Sequence, residues 1–386
     1  MISRNAKCFC GSEKRYKHCH GAWSVNTLSA PIDNWHITPM HVRNAFDSAQ
    51  VGRVAHFDQY GFHRPMMVTG DDETRFIVRG EKVILWEGGK YFLNFLQSDL
   101  LRELGESFRE NARHPLHGWW AAVQAQAATR SPLGPERGLM STVAVLSFFP
   151  VAYDLFVLAD NAKPRERLVK ALRIPDQFHG ARYELMIAAC LVRAGFDFTF
   201  SDEEDSSSSH SDGVAVHRRT GKRYAVEMKT KGRPGILGKA GERPSPAAMK
   251  GDVSRQLRDA LLKPAHDERL IFIDLNLPPP PSGWQGKGVW WRQDAIASKR
   301  AVEEQPGNAP ADATGFIVFT NTPSNQMAHD EFYVGLEVAC TAYNKPDFAA
   351  DMPLLHDAYP DIADLFQAFS NHDQMPQIFE RVRISS

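Results

Sequence analysis

The chain has 386 residues, 43% of them hydrophobic and 24% charged, with a net charge of −1. This length exceeds one ordinary domain, and the composition is that of a folded protein with a sizeable core, not of a disordered or fibrous chain. Near-neutrality argues against coating a polyanion with the whole surface, so any attraction for phosphates must be local.

The N-terminus shows no basic-then-apolar leader pattern. The most apolar run, Val143 to Ala159, contains Pro150 and Asp154 and falls short of a membrane span. The expectation is a cytoplasmic protein with no membrane contact. Three of five cysteines fall within residues 8–19, which suits metal binding better than a disulfide framework.

Residues 7–21 read KCFCGSEKRYKHCHG. Cys8, Cys10, Cys19 and His20 offer four soft ligands within a segment too short to fold around a core of its own, so a tetrahedral structural Zn2+ is expected there. His18 is an alternative to His20. Gly11 and Ser12 would supply the turn after the first pair, and Gly21 would release the chain after the second. Cys8, Cys10, Gly11, Ser12, Tyr16, Lys17, Cys19 and His20 resemble the SEC-C zinc motif, with Glu13 where glycine is usual. The resemblance covers only about the first 22 residues. It implies a closed zinc site and a small basic docking surface (Lys7, Lys14, Arg15, Lys17), not catalysis.

From about 50 to 95, short apolar runs such as Arg75–Val78 and Lys82–Trp86 are broken by glycine-containing turns, which predicts a small strand meander. Residues 91–110 switch to helical spacing through Phe92, Phe95, Leu96, Leu100, Leu104 and Phe108, and this ring-rich face reads as core. His114, His117, Trp119 and Trp120 lack ligand spacing and read as packing. Residues 140–173 are expected to be helical with a break at Pro150, and Pro175-Asp176 should open the next helix.

That helix carries Ala181, Leu185, Ala188, Ala189 and Val192 as an apolar stripe, with Glu184 at its border. Phe196–Phe200 alternates as a strand. A serine-rich acidic loop, 201–211, leads to a hairpin. In its first strand, Asp212 shares a face with Val214 and Val216; in its second, Glu227 and Lys229 share one face and Tyr224, Val226 and Met228 the other. An even loop, either Arg219-Thr220 or Arg218–Gly221, places Asp212 opposite Glu227. A three-residue loop ending in Gly221 would place Met228 there instead.

Two carboxylates so opposed repel unless a cation lies between them, and oxygen ligands suit Mg2+ or Mn2+. Lys229 would stabilise charge developing on a phosphate. Between His217 and Arg258, twelve Lys or Arg stand against three acids. The loop Lys231–Arg243, glycine-containing and expected to be mobile, would track a phosphate backbone through Lys231, Arg233, Lys239 and Arg243.

Helix with Glu184, strand, Asp212-opened strand and a strand ending in Glu227-Met228-Lys229 resemble the PD-(D/E)xK nuclease superfamily over about residues 176–340. Ser211 stands where that motif usually has proline. The resemblance implies a restriction-endonuclease-like mixed sheet flanked by helices, continuing through a helix at 252–263 and strands at 269–275 and 315–320. It implies Asp212 and Glu227 as ligands of catalytic Mg2+ (or Mn2+), Lys229 as charge stabiliser and Glu184 as an extra acid. It also implies that Arg255 and Gln256 project toward the site.

The expected fold class is therefore mixed α/β. Its parts are a zinc knuckle (1–22), a small α+β domain (35–110), a helical connector (111–175), the nuclease-like domain (176–344) and a C-terminal helical segment (345–386). The last would either pack on the chain's own core or pair two copies as a homodimer. The function implied is a metal-dependent nuclease acting on nucleic acid, DNA in the first instance, in defence or repair. The alternative is a non-catalytic adaptor that docks a protein or a ribosome through the zinc knuckle.

Overall fold

The computed structural model describes residues 66–69, 75–79, 82–86, 91–129, 139–375 apart from short gaps (the longest 202–210), and 380–381. The zinc-knuckle cysteines and most of the acidic serine loop lie outside the described residues. The chain divides into two compact units.

In the first unit, strands β1 (Met66–Thr69), β2 (Arg75–Arg79) and β3 (Lys82–Trp86) form the expected antiparallel meander. A strand from the far end of the chain, Glu380–Arg381, adds in parallel to β1. Helix α1 (Phe92–Leu104) buries Phe92, Phe95, Leu96, Leu100 and Leu104. Phe95 meets Trp86 edge-on and stacks with Phe92, so the ring-rich face is core. Gly105, at φ 79°, ends this helix, and a separate helical turn, Ser107–Glu110, carries helical structure to the expected residue 110.

The second unit takes in residues 108–151 and 162–374, so most of the expected connector and the C-terminal helix belong with the main sheet. It includes α2 (Pro115–Thr129) and the start of α3 (Val143–Leu158). Contrary to expectation, α3 runs through Pro150 without a break. A proline removes one helical N–H and crowds the preceding turn; here nearly every residue from 143 to 158 is buried, and packing overrides the local penalty. The His114 imidazole is buried with Nε2 2.9 Å from the Leu172 carbonyl, and Trp119 packs on Phe178, as the packing reading expects.

Helices α4 (Glu166–Leu172) and α5 (Pro175–Arg193) lead into the sheet. Pro175 sits in the first turn of α5, where its missing N–H has no partner to lose. The expected stripe is buried, but so are Tyr183, Met186, Ile187, Cys190 and Leu191. The reason is that α5 has the sheet on one side and other helices against it elsewhere.

The sheet has seven strands: β4 (Ala162–Lys163), β5 (Phe196–Phe200), β6 (Gly213–His217), β7 (Arg223–Thr230), β8 (Glu268–Asp274), β9 (Gly315–Asn321) and β10 (Glu337–Tyr343), in the order β10-β9-β8-β7-β6-β5-β4. β5, β6 and β7 are antiparallel neighbours, while β7, β8 and β9 are parallel. Parallel neighbours need crossovers, which α6 (Ser254–Leu261) and α7 (Arg292–Glu303) supply. The fold is thus a mixed α/β sheet flanked by helices.

Strand alternation divides the layers. Ile271 and Ile273 of β8 pack with Ile317 and Phe319 of β9, Leu257 and Leu261 of α6 and Trp291 beside α7. Phe272 faces the other way, onto Phe369. Phe369 belongs to α9 (Pro360–Ser370), which follows α8 (Met352–Ala358). Tyr224 donates to Asp361 of α9 at 2.5 Å, and Arg219 to Asp364 at 2.5 Å. The C-terminal helix therefore packs on this chain's own core. Among the described residues no helix is long and apolar enough to cross a membrane.

Asp274, at the end of β8, is buried on the α5 side, near Thr320 and the Tyr183 hydroxyl. Burial pushes its carboxyl up to about 7, against the pull of Arg182, Thr320 and Arg233. The folded state therefore holds this proton more tightly than the unfolded chain. Its contribution to stability is complete below the unfolded value near 3.8 and is lost as pH rises through about 7. Asp274→Asn should gain stability relative to the native protein between pH 4 and 7, by at most about 4 kcal/mol, with no further gain above that window. Urea denaturation at pH 4, 5.5 and 7.5 measures this, and parallel pH curves for the two proteins would contradict it.

Candidate functional site

The site is built on the β6–β7 hairpin. His217 N–H donates to the Lys222 carbonyl and Gly221 N–H to the His217 carbonyl, both at 2.8 Å, closing a four-residue connection, Arg218–Gly221. Gly221, at φ 70°, takes the left-handed turn a side chain would resist. The ladder then pairs Val216 with Arg223, Ala215 with Tyr224, Val214 with Ala225 and Gly213 with Val226. One step further along this register, Asp212 stands opposite Glu227. Asp212 also caps the strand end, its Oδ2 accepting from Met228 N–H at 2.6 Å.

Glu227 and Lys229 pair laterally with Ile271 and Ile273, so their side chains lie on the α6 face of the sheet. From the end of α6, Lys263 reaches the same place. Its Nζ is 3.1 Å from Asp212 Oδ1 and 2.6 Å from Glu227 Oε1. Lys229 Nζ also contacts Glu227 Oε1. Two carboxylates and two ammonium groups thus meet at one point.

Glu227 is only 3% exposed. Both lysines approach the same oxygen, Oε1, and Oε2 is buried without a hydrogen-bond partner. Burial, then the neighbouring Asp212, raises its pKa against the opposing pull of Lys229 and Lys263. For Lys263 burial acts downward, but its bonds to Glu227 and Asp212 outweigh it and raise the ammonium's pKa. A buried carboxylate oxygen left unpaired costs about 1–3 kcal/mol or more, and a bound cation is one chemical answer to it.

Asp212, Glu227 and Lys229 are therefore brought together as the sequence predicts. Glu184 is not part of their ion-pair cluster: it lies on α5, whose Tyr183 bonds Thr320 on the opposite face of the sheet, and its Oε2 accepts from Arg167 at 2.9 Å. Lys263 joins the cluster without a signal in the sequence. Nothing in its spacing marks it, and as a lysine closing a helix it suggests only favourable interaction with the helix dipole. The crossover from α6 to β8 is what places it beside the hairpin.

The basic segment is more tied down than its composition suggests. Arg233 is buried, donating to the carbonyls of Leu275 at 3.0 Å and Lys250 at 2.8 Å, so it braces the loop and is not offered to a ligand. Ile236 is buried in the core on the α6 face. Two points of the basic segment, Arg233 and Ile236, are thus held against the body of the unit. Lys231 lies half-buried, 3.9 Å from Asp252. Lys239 and Arg255 are exposed, Arg243 is exposed but donates to Gln326, and Gln256 is half-buried.

Oxygen ligands for a divalent ion fit in part. Asp212 and Glu227 supply two, one with an orphaned oxygen, yet no group of three or more His, Cys, Asp or Glu able to hold a metal occurs among the described residues. Water and main-chain carbonyls would have to complete the shell, which Mg2+ tolerates.

Compared with known proteins, the chain matches the family model of the SEC-C motif at residues 4–22. No curated protein and no solved structure matches it.

Gly213, next to Asp212, is required by close approach. A Cβ there would lie 2.6 Å from the Phe198 ring and 2.7 Å from the Thr199 carbonyl oxygen. Gly213→Ala should cost about 1–3 kcal/mol by forcing β5 and β6 apart. Thermal unfolding measures the loss, and an unchanged melting temperature would show that β5 and β6 do not pack as described.

Proposed function

We propose that the chain is a divalent-metal-dependent nuclease, with Asp212 and Glu227 as metal ligands and Lys229 as the cation facing the scissile phosphate. The observation that carries this reading is the buried Glu227 carboxylate, opposite Asp212, with an oxygen lacking a hydrogen-bond partner. The order α5, β5, β6, β7, α6, β8 supports it, because the resemblance to the PD-(D/E)xK superfamily implies that succession. A bound Mg2+ or Mn2+ would lower the pKa of a water and draw charge from the phosphate. The protein's own contribution is orientation and charge. The Asp212–Met228 hydrogen bond fixes one ligand, the core fixes the other, and the Lys229 ammonium can stabilise the pentacoordinate phosphoryl transition state. Exposed Lys239 is available to phosphates, as is Arg255 on leaving its exposed ion pair with Asp259 at 3.6 Å, and DNA is the substrate we favour. Glu184 keeps the role of an accessory acid only if Arg167 releases it.

A second reading is favoured by the SEC-C match at residues 4–22. Cys8, Cys10, Cys19 and His20 would hold a structural zinc that docks a protein partner, with the sheet as scaffold. The two readings separate experimentally. Purified protein incubated with plasmid, single-stranded DNA and RNA should cleave at least one in Mg2+ or Mn2+ and none in EDTA. Asp212→Ala and Lys229→Ala should each lower the rate by about a hundredfold or more. Equal rates in these variants would remove the site from the chemistry, and no cleavage under any condition would favour the scaffold.

Zinc content is an independent measure. The purified protein should carry one equivalent of zinc, and Cys8→Ser should lose it without loss of the main unfolding transition. Full zinc retention in that variant would contradict the ligand set.

A further inference from the structure

We propose that Lys263 is a resident cation that competes with the divalent ion for Asp212 and Glu227, so that metal loading is coupled to the arrival of an anionic substrate. The inference rests on the reading of these carboxylates as metal ligands. Lys263 Nζ bridges Asp212 Oδ1 and Glu227 Oε1 at 3.1 and 2.6 Å, the two groups that reading assigns to the metal. An ammonium and a metal ion ligated by both carboxylates cannot occupy the same place between Asp212 and Glu227. Charge points the same way. Lys229 and Lys263 together neutralise the two carboxylates, and a divalent ion added to that set leaves an excess of two positive charges beside a buried group.

The chain around Lys263 is arranged so that the side chain alone can move. Its carbonyl accepts from Arg269, itself buried, at 3.1 Å, and Pro264 fixes the next residue. The Lys263 side chain is 23% exposed, so its head can turn toward solvent by rotation about its own bonds. A phosphate group at the site would offer it a new partner. Substrate and metal would then each favour the other's binding, and by linkage the effect is reciprocal. Lys229, one turn of the strand pleat from Glu227, stays to face the phosphate.

The test is metal affinity, read by electron paramagnetic resonance of free Mn2+ during titration of the full chain. Lys263→Met should bind Mn2+ about tenfold more tightly than the native protein, and Lys263→Arg, which keeps the cation, should not. A cleavage-resistant phosphorothioate DNA duplex should tighten Mn2+ binding to the native protein and have little effect on Lys263→Met. Equal Mn2+ affinity in the native protein and Lys263→Met, lost in both on adding Asp212→Ala, would overturn the competition and leave the metal-site reading intact. Binding that is unaffected by Asp212→Ala, or absent from every variant, would overturn both. Circular dichroism of Lys263→Met establishes that a changed affinity does not come from an unfolded chain.

Discussion

A carboxylate in the middle of a buried strand must be answered by charge, and around Glu227 that demand organises the site. Stripping water from an ionised carboxyl costs several kcal/mol unless opposite charge and hydrogen bonds replace it. Here the answer comes from two ammonium groups, Lys229 two residues along the same strand and Lys263 from the end of the crossover helix, while Asp212 on the partner strand adds a second negative charge to the demand. The balance is close in charge and poor in geometry, since both ammonium groups crowd one oxygen and leave the other without a hydrogen bond. A group retained for stability alone would be expected to have its bonds satisfied. This mismatch is the physical ground for assigning the site a ligand.

The rest of the second unit can be understood as support for that point. The parallel core β7-β8-β9 is buried on both faces and provides a rigid floor. The antiparallel hairpin at its side allows residues from two strands to oppose each other directly, which parallel crossovers do not readily permit at close sequence range. On the α5 face, Tyr183, Thr320 and Asp274 form a buried polar chain, and Tyr224 ties the sheet to α9 through Asp361. The basic loop after β7 is braced by Arg233 and Ile236, so exposed cations project from an ordered base.

Much of this was legible from residue order because it rests on local physics. Alternation of side chains set the faces of β7, and the possible turn lengths around Arg219 and Thr220 decided the partner of Asp212. Where the expectation failed, the cause was tertiary. Pro150 should break a helix, but burial of α3 holds it. Arg233 looks like a phosphate contact, but two backbone carbonyls from separate segments claim its guanidinium. Glu184 fits a motif position, yet Arg167, seventeen residues earlier, holds its carboxylate. Lys263 was invisible because its importance depends on where a crossover ends, which no periodicity encodes.

The central claim is that Asp212 and Glu227, opposed across the hairpin, hold a divalent cation. Its most direct measurement is a crystal structure of the protein soaked in Mn2+, with anomalous differences collected to locate the ion. The account predicts a manganese peak coordinated by carboxylate oxygens of both residues, with the Lys263 ammonium displaced from between them. Ordered manganese elsewhere, with Lys263 still bridging Asp212 and Glu227, would contradict it.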